Sequence, residues 1–231
     1  MSTATPVIRR RMAVLLAAVV VTSILGTAMS LLFPLDLESD AATLHAEVAS
    51  SREGVRWILV LGAVNLVVGV SALALAGLLL VPARGAVAAT IGAVAMWLGA
   101  AFYGVGVGGW AEAFPTATHP ALDASASREL VAELVADPAR LFVTAGTGAG
   151  LVALGTVLLS VGLWRARTVP RWVPAVAAVS IVLTFVFPTA GPVGLLVEIP
   201  VAVSSIAIGW YSWQRISAGN HTAVLVAPSA H

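Results

Sequence analysis

"WILVLGAVNLVVGVSALALAGLLLV", residues 57–81, runs for twenty-five residues without a charge. At 1.5 Å per residue it makes a helix about 37 Å long, enough to cross a hydrocarbon core of about 30 Å. An isolated strand in lipid would leave its backbone groups unpaired, so the run reads as a transmembrane helix. Five further apolar runs follow the same logic: Met12–Phe33, Gly85–Val107, Leu141–Trp164, Trp172–Phe187 and Pro192–Trp213. Of these, Trp172–Phe187 sits at the short limit for a crossing. Composition agrees, with 59% hydrophobic and 10% charged residues and a mean hydropathy of +0.99. Soluble domains carry about 25% charged residues.

The expected fold is therefore all-α and polytopic, with six transmembrane helices arranged as three outward-opening hairpins. The expected spans are about 12–33, 55–81, 85–108, 139–164, 171–187 and 191–213, in one domain over residues 1–216. Residues 34–54 and 109–138 form the long outer loops, and residues 217–231 a disordered cytoplasmic tail.

Charge sets the orientation. Arg9, Arg10, Arg11, Arg84, Arg165, Arg167, Arg171 and Arg215 fall between spans with no acid among them. The opposite segments hold Arg52, Arg56, Arg128 and Arg140 together with ten Asp and Glu residues. Because basic residues favour the cytoplasmic side, both termini are expected inside and the acidic loops outside. The expected location is the inner, or plasma, membrane of a bacterium, with the lipid bilayer as the principal partner. Absence of cysteine excludes disulfides, thiol catalysis and thiolate metal sites.

The first span also contains the elements of a secretory leader: "RRRMAVLLAAVV" followed by "GTAMS". Its apolar stretch of about 22 residues exceeds the usual 7–15 of a leader core, so a retained helix is expected.

Two outer segments look related. "LHAEVASSREGVRW" and "SRELVAELVADPARLF" are both acidic and helix-forming, and each precedes a span. Phe33-Pro34, Phe114-Pro115 and Phe187-Pro188 open the three outer turns. Parallel duplication would produce this pattern, and so would the ordinary use of proline to stop helices. Ser127 is the expected N-cap of a helix whose apolar strip is Leu130, Val131, Leu134 and Val135. Asp137-Pro138 is the expected start of the fourth span. The inner loop "LWRARTVPRWVP", residues 163–174, resembles that of uncharacterised multispan bacterial membrane proteins of an actinobacterial kind, through Arg165–Trp172. The resemblance implies a polytopic membrane protein and no particular activity.

Small residues recur every seven positions on four spans: Gly62, Gly69, Ala76; Gly85, Gly92, Gly99, Gly106; Gly148, Gly155, Gly162; and Gly191, Glu198, Ser205, Ser212. A seven-residue period marks one face of a left-handed helix pair, and small residues let helices in lipid approach closely. These faces are expected to line the bundle interior.

Polar side chains fall on or beside them. Glu198 is itself a seam residue, and Asn65, Tyr103 and Thr144 lie three or four positions from one. On a helical rise, Glu198 sits ~10 Å below its outer turn, Asn65 ~14 Å below Arg56 and Thr144 ~6 Å below Arg140. A lone acid inside a membrane span is a functional candidate by default. Pro200 removes the donor to the Leu196 carbonyl, and a proline-interrupted span beside a short one is a feature of transporter sites. Glu198, Asn65, Tyr103 and Thr144, with Arg140 or Arg56 from the rim, thus form the candidate ligand or proton site. A protonated Glu198 serving only as interhelical glue is the competing structural role.

Other features carry less. His45, Glu47, His119 and Asp123 lack metal-site spacing, so no metal is expected. Gly104, Gly106 and Gly109 match a dinucleotide fingerprint loosely, but no strand precedes them and no helix opens after them. Ser204 and Ser205 have no histidine in any span to activate them. No catalytic residue, cofactor or nucleic-acid partner is expected.

Three functions remain open: a small-solute or proton-linked carrier for a lipophilic or polar ligand, with Glu198 as the titrating group; an intramembrane enzyme acting on a lipid or isoprenoid with Glu198 as general acid; or a structural or regulatory protein whose acidic outer loops bind a membrane or extracytoplasmic partner. Enzyme activity is the less favoured of these, and the oligomeric state is left open.

Overall fold

A computed structural model describes residues 4–32, 40–136, 138–186 and 191–225. Among these residues there are eight helices and no strand. They are α1 (Ala4–Leu32), α2 (Ala41–Ser50), α3 (Arg52–Leu80), α4 (Ala86–Ala117), α5 (Ala124–Ala136), α6 (Pro138–Ala166), α7 (Trp172–Leu183) and α8 (Gly191–Leu225). Five of them, α1, α3, α4, α6 and α8, are long and apolar enough to cross a membrane. The chain is a multi-pass integral membrane protein.

Local chemistry sets several boundaries. Asp40 caps α2, its carboxylate accepting from the N–H groups of Ala42 and Thr43 at 2.9 and 3.0 Å. Gly85 precedes α4 with a φ of 88°, a left-handed conformation that favours glycine. α4 runs well beyond the expected boundary at residue 108, and Phe114-Pro115 lies in its last turns rather than opening a loop. The other two Phe-Pro pairs fall outside the described residues, as does Asp137. α5 starts before Ser127, which is buried inside the helix; the Asp123 carbonyl accepts from the Ser127 N–H, and its carboxylate from the Ser125 hydroxyl. Ser127 does not cap because its hydroxyl is engaged elsewhere. It donates to the Ala117 carbonyl at 2.8 Å and meets His45 Nε2 at 2.8 Å. Since Ser127 donates to Ala117, His45 must be the donor in the second bond. α8 continues past Ser217, where the tail was expected to begin.

Packing closes six of the helices into a ring. α1 touches α3, α3 touches α4, α4 touches α6, α6 touches α7, α7 touches α8, and α8 returns to α1, while α3 also touches α8 and α6 across the ring. The most extensive contact is α4 on α6, along the heptad glycines. An added Cβ at Gly92 would stand 2.6 Å from the Gly155 carbonyl oxygen, and at Gly99 2.6 Å from that of Gly148. Gly162 meets Ala89, and Gly106 meets Ala145. The seam residues of α3 instead admit α1, with Gly62 against Met29 and Gly69 against Thr22.

Two apolar clusters fill the ends of the ring. At one end Leu80, Met96, Leu159, Leu163, Val173 and Ile208 pack tightly, and Arg215 donates to the Leu80 carbonyl beside them. At the other, α2 and α5 cover α3 and α4 with Leu44, Val48 and Val131 against Val55, Trp110 and Phe114. Leu134 and Val135 join this cluster, while Leu130 stays exposed. Between the clusters the ring is hollow.

Candidate functional site

All six ring helices contribute to one cavity of about 500 Å³. This is within the range of about 300–1,000 Å³ usual for small-molecule sites. Glu198 reaches it from α8, Asn65 from α3 and Tyr103 from α4. Each is placed by a neighbour that permits close approach. Asn65 sits where α1 is thinned at Gly26, whose added Cβ would meet Asn65 Nδ2 at 3.5 Å. Tyr103 lies against Gly148 of α6. α8 remains helical through Pro200, which holds Glu198, Val201, Ser204 and Ser205 on one wall.

The polar groups have distinct commitments. Asn65 Nδ2 donates to the Thr22 carbonyl at 3.1 Å, while its Oδ1 is buried without a hydrogen-bond partner among the described residues. Thr22, Ser30, Thr156 and Ser204 each give their hydroxyl proton to a carbonyl of their own helix. Glu198 has no hydrogen bond or ion pair among the described residues; Tyr103 lies within its electrostatic reach. No other Asp or Glu, and no Arg or His, lines the cavity among those residues.

Three candidates from the sequence thus share the cavity, two do not, and one cannot be placed among the described residues. Arg56 lies at the α2–α5 end, donating to Glu112 at 2.9 Å and Glu53 at 3.2 Å, and so ties α3 to α4. Thr144 is half-buried on α6 but off the cavity, which α6 reaches through Val152 and Thr156. The physical reason is the tightness of the α4–α6 seam, where backbone meets backbone and leaves no hollow beside Gly148. The Arg140 side chain lies outside the described residues.

Sequence reading missed the contribution of α1, whose Thr22, Ser23, Gly26 and Ser30 line the cavity. The signal was present in "TSILGTAMS", residues 22–30, as hydroxyls and a glycine at helical spacing. The same residues also resemble a cleavage site, which drew the reading elsewhere. Trp110 also lines the cavity.

The sequence profile of a domain of unknown function, DUF4386, matches residues 12–211. The chain belongs to this family. The DUF4386 match begins within α1 and ends within α8, so it takes in the whole ring and its cavity. No curated protein and no solved structure matches the chain.

Proposed function

We propose that this protein is a carrier for a small solute in the bacterial plasma membrane, with Glu198 as a proton-exchanging group. The observation that supports it is the central cavity, built by every helix of the ring and bearing, among the described residues, a single carboxylate. In this reading α7 is the sixth span: its 12 residues extend only about 18 Å, but the ring needs it between α6 and α8. The termini are then cytoplasmic, and α2 and α5 cover the outer end. A lone acid on a protein-lined cavity suits alternating protonation and solute binding.

The other readings fit less well. Intramembrane acid catalysis calls for a second acid or a metal near Glu198, and the described wall has neither. A partner-binding role would use the apolar face of α5, which already packs on α2 and α4.

Native mass spectrometry of the purified protein tests the proposal, comparing wild type, Glu198→Gln and the cavity-filling Ala202→Phe. A specific small molecule held by the wild type and lost from both variants is the expected result. Refutation would be a bare wild type whose thermal stability no added solute changes and Glu198→Gln leaves untouched.

A further inference from the structure

The cavity wall is asymmetric in charge and in hydrogen-bonding capacity. Glu198 is its only side chain able to carry charge at neutral pH among the described residues, and no lysine occurs anywhere in the chain. An anion entering here would meet a carboxylate and, among the described residues, no counter-charge. The amide donor of Asn65 is committed to Thr22, whereas its oxygen waits unpaired. Among the described residues, the side-chain donors left over are the neutral hydroxyls of Ser23, Tyr103 and Ser205. Tyr103 and Trp110 add aromatic surface, which attracts cations through the ring quadrupole. The rest of the wall is apolar.

A second hollow meets this one. Between α1 and α3 a groove of about 420 Å³ shares Thr22, Met29, Ile58 and Asn65 with the cavity. Its outer walls are Leu25, Leu61, Val64 and Val68, all exposed on the side of the bundle that faces lipid. A water-soluble ion would have no reason to take such a path, but an amphiphile dissolved in the bilayer would.

We propose, building on the carrier reading, that the solute is a hydrophobic organic cation that enters laterally between α1 and α3 and pairs with Glu198. Binding needs the carboxylate ionised, so a proton and the cation compete for one group. Among the described residues facing it, Tyr103 of α4 is the only other titratable side chain; the walls from α1, α3, α6, α7 and α8 add none.

Tetraphenylphosphonium and tetraphenylborate, matched in shape and opposite in charge, provide the test on the purified full chain. Saturable phosphonium binding is expected, with borate at least about tenfold weaker. Glu198→Gln should weaken phosphonium by about tenfold or more, the loss of one charge-assisted contact of about 1.4 kcal/mol. Lowering the pH should weaken it progressively in the wild type and not in the variant. Leu61→Trp fills the groove alone, and should slow association without changing equilibrium affinity. Equal binding of both ions, or full phosphonium affinity in a folded Glu198→Gln, overturns the cationic class while leaving the carrier reading intact. Association unaffected by Leu61→Trp overturns the lateral route. If neither ion binds folded wild type, the cationic class falls, and the co-purified species above decides the carrier reading separately.

Discussion

Gly148 and Gly150 are two residues apart on α6, and alanine should act oppositely at each. An added Cβ at Gly148 would overlap the Tyr103 backbone nitrogen and stand 2.7 Å from the Gly99 carbonyl oxygen and 2.8 Å from the Tyr103 Cα. Ordinary non-bonded contact needs about 3.5 Å, so α4 and α6 must part by at least about 0.8 Å. All three obstacles are backbone, which no rotamer change can move aside. Overpacking of this kind costs about 1–3 kcal/mol, offset by at most about 1 kcal/mol from the better helix propensity of alanine. The net expectation is a loss of about 1–2 kcal/mol. At Gly150 a Cβ meets nothing within 4 Å, so only the propensity gain of about 0.5–1 kcal/mol operates. At about 2–4 °C per kcal/mol for a chain of this size, the two variants should differ by about 3–12 °C in Tm. Thermal unfolding in a single detergent, followed by tryptophan fluorescence, measures this directly. Gly148→Ala also presses on Tyr103, so weaker ligand binding should accompany its lower Tm. The packing argument fails if Gly148→Ala is as stable as wild type, or if both variants shift together.

The cap formed by α2 and α5 gives two further expectations. Ser127→Ala strands the His45 Nε2 proton and the Ala117 carbonyl, and should cost about 1–3 kcal/mol, seen as faster amide exchange in α2 and α5 with exchange in α7 unchanged. Asp40 responds to pH: hydrogen bonds from Thr43, first its backbone N–H, then its hydroxyl, hold the carboxyl below its ordinary 3.8. A carboxyl lowered by folding stabilises the native state fully above its unfolded value and loses that effect as pH falls through the folded one. Protection of the Ala42 and Thr43 amides, corrected for intrinsic exchange, should therefore decline below about pH 4 in the wild type. Asp40→Ala should lack that protection at every pH.

Much of this architecture could be read from hydropathy, because a 25-residue uncharged run has few physical outlets. The seven-residue spacing also located the α4–α6 seam, since only glycine lets two backbones approach as Gly92 and Gly155 do. The same spacing could not say which faces meet and which surround a hollow. Thr144 and Tyr103 stand near the same seam, yet only Tyr103 lines the cavity. That difference depends on the azimuth of each helix in a closed ring, which the six-fold pattern of neighbours fixes and no single span records. Arg56 misled for another reason. Long side chains at a span's end choose between reaching inward and pairing with acids, and Glu112 became a neighbour only once α4 continued past residue 108. Ser127 looked like a cap because hydroxyl residues favour that position, but the buried Ala117 carbonyl claimed its proton.

The contact between α1 and α8 has a consequence for biogenesis. Helices inserted in chain order leave α1 standing without its largest partner until the final helix arrives. Until then the hollow is an open slot in the bilayer, and Val19, beside which Gly209 will dock, faces acyl chains. The helix that shuts the slot is the one that carries Glu198. The acid thus joins its polar neighbours in the step that completes the wall, and a fault in docking Gly209 would leave the carboxylate and the slot exposed together.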